Sequence, residues 1–157
     1  MRAAVTVREA EAKDLDALVG LLALLFAIET DFAVDAEKQR RGLCLLLAPG
    51  PGRLVLAAER DGAVVGMATA QTVISTAEGG PSLLIEDVVV REDCRGLGIG
   101  RALTSRIAAW GEGRGATRMQ LLADARNAPA FGFYEACGFT PTNLVCLRRR
   151  LMPAAGK

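Results

Sequence analysis

Three features of this chain can do chemistry: a glycine-rich turn, Arg95-Gly96-Leu97-Gly98-Ile99-Gly100, an acid pair, Glu86-Asp87, and the one tyrosine, Tyr134. The turn follows an apolar run, Leu83 to Val90, and opens an amphipathic run, Ile99 to Arg114. Glycines between a strand and a helix leave backbone N–H groups unpaired and open to a ligand, and the helix dipole adds partial positive charge there. Arg95 and Arg101 add full charges. A phosphate or pyrophosphate suits such a turn, although glycines also close strand–helix corners for steric reasons alone. Two common occupants fail on spacing. A dinucleotide fingerprint, G-x-G-x-x-G, would need glycine at Arg101 or Leu103, and a nucleotide P-loop would need Gly-Lys-Ser/Thr where the chain has Gly100-Arg101-Ala102.

Glu86 and Asp87 interrupt the strand-like run Leu83-Leu-Ile-Glu-Asp-Val-Val-Val90. Side chains alternate along a strand, so the two acids should point to opposite faces. If the strand is covered on both faces, at least one carboxylate is partly desolvated and its pKa rises toward that of a useful base. The alternative is structural, with one acid capping a bulge or pairing with an arginine and the other facing solvent. Tyr134 is either a proton donor, with an intrinsic pKa of ~10, or packing beside Phe131, Phe133 and Phe139. The chain has no histidine. Ser-His-Asp hydrolysis, Cys-His nucleophiles and His-ligated zinc are therefore excluded, and a base must be a carboxylate, a perturbed lysine or tyrosine, or water.

Two motifs resemble those of the GNAT superfamily of N-acetyltransferases. Arg95, Gly98 and Gly100 fit R-x-x-G-x-G, its acyl-CoA pyrophosphate loop. Asn127-Ala-Pro-Ala130-Phe-Gly-Phe133-Tyr134-Glu-Ala-Cys-Gly138-Phe139 resembles its N-x-x-A-x-x-F-Y-E-x-x-G-F signature. The second also reads as a short helix, with Asn127 as N-cap, Pro129 just inside and Gly138 ending it. The resemblance covers the second half of the chain well and the first half in outline. It implies acetyl-CoA as cosubstrate, bound by Val88, Val89, Val90, Arg95, Gly96, Leu97, Gly98, Ile99, Gly100, Arg101 and Asn127, with no metal. It places Tyr134 at the general-acid position. Around Glu86-Asp87 the match is to diamine acetyltransferases, which implies Glu86 as base through water. The implied reaction is direct attack of a small molecule's primary amine on the thioester, polarised by a backbone N–H of the Val88–Val90 region. Modification of proteins or peptides, or acyl-CoA binding without turnover, are the alternatives.

These residues need a scaffold. With 51% hydrophobic side chains in 157 residues, the chain should form one domain, 1–157, with a substantial core. Val5 and Val7 suggest a first strand, Asp14 to Phe26 a buried helix, and Ala36 to Leu47 a second helix capped by Asp35. Leu54–Glu59 and Ala63–Val73 read as strands joined across Arg60-Asp61-Gly62, followed by a loop over Ile74–Ser82. Leu83–Val90, Met119–Ala123 and Leu144–Leu147 complete the strands, and Ile99, Leu103, Ile107 and Trp110 stripe a helix. The order is α+β (mixed α/β) with one parallel crossover. The resemblance implies a twisted sheet of about six to seven strands, splayed between Leu83–Val90 and Met119–Ala123, with about four helices.

A formal charge of +1 gives no pull toward nucleic acid or anionic membrane. Arg148-Arg149-Arg150 read as a solvated strand end. Cys44, Cys94, Cys137 and Cys146 lack C-x-x-C spacing, and Arg2, Glu9, Glu11 and Asp14 exclude a signal peptide's apolar core. The longest run free of charged and polar side chains, Ala17 to Ile28, falls short of the ~20 residues a membrane span needs. A cytoplasmic protein with reduced thiols is expected. Glu29, Asp31, Asp35 and Glu78 are acids that could attract a cationic acceptor or be simply solvated. Apolar residues near the last strand, and the family's habit of pairing, make a homodimer the expectation.

Overall fold

A computed structural model describes residues 4–153; Arg2 and both ends of the 1–157 span lie outside them. Five strands form one sheet in chain order: β1 (Val5–Glu9), β2 (Arg53–Arg60), β3 (Ala63–Ser75), β4 (Gly80–Val90) and β5 (Met119–Leu121). Neighbours are antiparallel except β4 and β5, which run parallel. Four α-helices flank the sheet: α1 (Leu15–Ile28), α2 (Ala36–Leu47), α3 (Ile99–Glu112) and α4 (Ala128–Ala136). A parallel pair needs a crossover, and α3 supplies it.

The sheet is covered on both faces. Leu18, Leu22 and Leu43 of α1 and α2 pack on Val55, Met67 and Val89. Ile99, Leu103 and Ile107, the expected stripe of α3, pack on Leu56, Leu83 and Ile85. Truncating a fully buried leucine such as Leu103 to alanine costs ~2–5 kcal/mol in comparable cores. The β2–β3 turn follows from Asp61-Gly62, whose φ values of 51° and 76° match the twist of a two-residue hairpin. Arg8 forks onto Asp14 at 2.7 Å and Glu59 at 2.9 Å, tying β1 and β2 to the start of α1. The guanidinium holds the Asp14 carboxyl below the usual carboxylate range.

Two expectations are corrected. The loop placed over Ile74–Ser82 is a hairpin: β3 runs on to Ser75, β4 begins at Gly80, and Ser75 pairs with Gly80. Gly79-Gly80-Pro81 mark its turn and not a longer excursion, because the ladder carries Ile74 and Pro81 as partners. The strand expected at Leu144–Leu147 does not form, so the sheet has five strands where about six to seven were expected. Apolar, extended residues become a strand only with a ladder partner. Residues 140–153 have none among the described residues.

No helix among the described residues is long and apolar enough to cross a membrane.

Candidate active site

The site begins at a bulge in β4. The register with β3 passes from Ala68↔Val88 to Ala70↔Ile85, so Glu86 and Asp87 together face Thr69. Two residues opposite one re-aim side chains and break the simple alternation read from sequence. The consequence is visible in packing, since Leu83, Ile85, Val88 and Val90 all reach the α3 side of the sheet. Asp87 is the withdrawn acid. Its carboxylate accepts the Thr69 hydroxyl at 2.7 Å, and burial pushes its pKa up against that hydrogen bond. Glu86 is exposed and lines the cleft described next.

β4 and β5 pair only over Leu83↔Met119, Leu84↔Gln120 and Ile85↔Leu121. Beyond that point a cleft of about 880 Å³ opens. Val88, Val89 and Val90 form one wall, and Leu122, Ala123 and Asp124 the other. The β5-facing main-chain groups after Ile85 have no strand opposite them, so they remain available to a ligand.

The glycine turn lines the cleft. Gly96 and Gly98 take left-handed φ values of 74° and 82°, and Gly98 is the N-cap of α3. The first N–H groups of α3 lack intrahelical partners and point out of the helix end. Arg95 ties the turn back to β4 by donating from Nε to the Val90 carbonyl at 3.2 Å. Gly100 has a different reason to be glycine. A Cβ there would meet the Phe133 ring at 2.9 Å, so this glycine lets α4 close onto α3. Sequence gave no hint of that contact between residues far apart in the chain.

Tyr134 lines the same cleft. Asn127 caps α4 by accepting the Ala130 N–H at 3.2 Å, which leaves its own amide N–H groups for a ligand. α4 closes with Gly138 at a φ of 89° and Phe139 N–H returning to the Tyr134 carbonyl at 3.0 Å. The Tyr134 ring packs against Phe133 and Phe139, at centroid distances of 5.1 and 5.6 Å, while the residue lines the cleft. Packing and a chemical role are therefore compatible. Burial, reinforced by the Glu29 charge, pushes its pKa up to about 12, so the phenol keeps its proton at neutral pH.

The cleft also has an acidic rim. Glu29, at the end of α1, has a raised pKa through burial and the charges of Asp87, Asp124 and Asp31. Asp124 is held low by the backbone and side chain of Arg126. Arg126 in turn donates to Thr30, bridging the two rims. The remaining acids are used elsewhere. Asp35 caps α2 through Lys38, and Glu78 binds Thr117 at 2.7 Å and Arg118 at 3.2 Å. Of the residues expected to bind acetyl-CoA or act on it, only Leu97 lies off the cleft wall. Asp124 and Arg126 are not legible in the sequence, for they line the cleft through loop geometry without a motif of their own, and Phe133, quoted within the second motif, lines it as well.

The sequence and the fold have known counterparts. The model of the Acetyltransferase (GNAT) family matches residues 21–139. Aminoglycoside N(6')-acetyltransferase type 1 of Stenotrophomonas maltophilia is 30% identical over 125 residues, covering 77% of this chain and 82% of that protein. Aminoglycoside N-acetyltransferase AAC(6')-Iy, solved in complex with CoA, superposes with a TM-score of 0.82 at 19% identity, over 96% of this chain and 97% of its own. A putative acetyltransferase from Agrobacterium tumefaciens superposes at 0.78 with 26% identity, over 92% and 99%.

Proposed function

The chain belongs to the Acetyltransferase (GNAT) family and is thereby an acetyl-CoA-dependent N-acetyltransferase; on that premise we propose that its one domain acetylates a primary amine of a small cationic molecule inside the β4–β5 cleft. One observation carries the reading. A single cleft joins an amide-rich helix start to a protonated, half-buried phenol and an exposed carboxylate.

Each part has a job. The N–H groups at Gly98–Arg101, with Arg95 and Arg101, suit the pyrophosphate of acetyl-CoA. The unpaired edge of β4 suits the pantetheine arm, and an N–H of Val88–Val90 polarises the thioester carbonyl. The neutral amine attacks the carbonyl carbon, forming the C–N bond and a tetrahedral oxyanion. Collapse breaks the C–S bond, and Tyr134 gives its proton to the departing thiolate. The cationic acceptor first gives up one proton through water to Glu86 and on to solvent, which yields the attacking amine; the second proton leaves nitrogen by the same route after attack, and Tyr134 regains its own from solvent. The acids Glu29, Glu86 and Asp124 favour an acceptor of positive charge, and the curated relative is named for acetylating an aminoglycoside.

Turnover tests this directly. Acetyl-CoA is offered with polyamines, amino acids, aminoglycosides, aminophosphonates and peptides, and thiol release is followed. Small polycationic amines should be the best substrates. Peptides as the sole substrates would move the activity to protein acetylation, and CoA binding without turnover on any amine would leave an acyl-CoA-binding module.

A further inference from the structure

The bulge in β4 does more than turn Glu86 into the cleft, for it also decides which amides the cleft is offered. Leu83 donates its main-chain N–H to the Arg118 carbonyl at 2.8 Å, on the β5 side. N–H directions alternate along a strand, so an unbroken strand would send Leu83, Ile85, Asp87, Val89 and Arg91 all that way. Arg91 instead donates to the Val65 carbonyl of β3, at 2.8 Å. A slip of one residue lies between them, and the ladder places it where Glu86 and Asp87 together face Thr69. Past that point Val88 and Val90 take the β5-facing positions, on the stretch of β4 where the pairing with β5 has ended. The Val90 carbonyl agrees with this phase, since it receives Arg95 Nε at the cleft. Without the slip, the Asp87 and Val89 amides would stand there instead.

Thr69 holds the slip in place. Its side chain is 2% exposed, so its hydroxyl must be satisfied within the protein. That hydroxyl is used twice on one residue. It donates to the Asp87 carboxylate at 2.7 Å and accepts the Asp87 main-chain N–H at 3.2 Å. The second bond answers the difficulty a bulge creates, an amide that the disrupted ladder leaves without a carbonyl. The first commits the hydroxyl proton to the carboxylate, which leaves the oxygen lone pairs for the amide. Thr69 does not line the cleft, so whatever it does for the reaction it does through β4.

We propose that Thr69 is a positioning residue for acetyl transfer: by clamping the bulge at Asp87 it aims the Val88 and Val90 N–H groups at the thioester carbonyl of acetyl-CoA. The proposal rests on the acetyl-transfer reading and names the side chain on which the carbonyl-polarising amide depends. A donor helps only where the oxyanion forms, and a misplacement of ~1 Å can cost on the order of a hundredfold in rate. A strand end with no neighbour on its β5 side has little else to fix it so closely. The pyrophosphate amides are mounted separately, on the start of α3, and do not pass through this clamp.

Infrared spectroscopy of acetyl-CoA, isotope-labelled at the thioester carbonyl, reads the aim in the full chain without an acceptor. Bound to the wild type, the carbonyl band should fall below its frequency in free acetyl-CoA, because a hydrogen bond weakens the C=O bond. Thr69→Ser keeps the hydroxyl and should keep the shift. Thr69→Val should lose most of it, and Thr69→Ala repeats the loss of the hydroxyl should valine prevent folding. Acetyl-CoA affinity by calorimetry should stay within about threefold of the wild type in all three. With the best amine acceptor, kcat should fall roughly ten- to a hundredfold without the hydroxyl and less than about threefold in Thr69→Ser, although every variant melts below the wild type. A shift that survives in Thr69→Val and Thr69→Ala, or turnover that falls as far in Thr69→Ser as in those two, would overturn the role. A wild-type chain that binds acetyl-CoA with an unshifted carbonyl would also overturn it, while leaving the acetyl-transfer reading in place. No acetyl-CoA binding at all would refute that reading, and the clamp's role with it.

Discussion

Residues 5–111 and 112–153 fold to different depths. Among the described residues, every buried side chain lies in the first stretch and none in the second. The division runs through the site. β4, the glycine turn and α3 belong to the deep part, while Asp124, Asn127 and Tyr134 stand on elements with little cover. Amides that must meet a pyrophosphate gain from a rigid mount, since preorganised donors need no rearrangement on binding. A wall that admits varied acceptors tolerates looser packing, and low local burial is where opening is least costly.

The largest effect expected from breaking the shallow side is chemical. Tyr134→Phe should lower kcat by roughly one to three orders of magnitude with little change in acetyl-CoA affinity. Because Tyr134 is pushed up to about 12, it stays protonated through the alkaline range, and kcat should show no loss from this group below pH values near that. Wild-type turnover in Tyr134→Phe, by thiol release, would remove the acid role. The comparison itself is tested by thermal melts. Leu103→Ala in α3 should cost ~2–5 kcal/mol, and Phe131→Ala in α4 only roughly 1, despite the larger side chain. The reverse order would mean that α4 is packed as deeply as α3. The smallest expected effect separates the two acids. Glu86→Gln should lower kcat/KM about tenfold at neutral pH, with the deficit shrinking at high pH as the amine arrives as free base. An unchanged pH–rate profile would leave the half-buried Asp87 or water to take the proton.

What could be read beforehand follows the same boundary between local and distant chemistry. The glycine turn, the Asn127 cap, the α3 stripe and the Asp61-Gly62 hairpin are written in neighbouring residues, and all are present. The β4 bulge is not, because it depends on register against Thr69, and it decides which of Glu86 and Asp87 is desolvated. The fit of Gly100 against Phe133, and of Glu78 against Arg118, likewise depends on residues brought together only by the fold. Leu144–Leu147 shows the limit most plainly. Its residue pattern states a preference for strand, but no pattern names the edge it needs.

The central claim is that the Gly98–Arg101 amides hold the pyrophosphate of CoA. Calorimetric titration of CoA into the wild-type chain and Gly98→Val tests it most directly. Gly98 has a φ of 82°, so valine must either strain the turn or rebuild it, at ~1–3 kcal/mol, and its branched side chain would crowd the phosphate. Wild-type CoA binding with about tenfold or greater weakening in Gly98→Val is the expected result. Equal affinity in the two chains, or NADH bound as tightly as CoA, would contradict it.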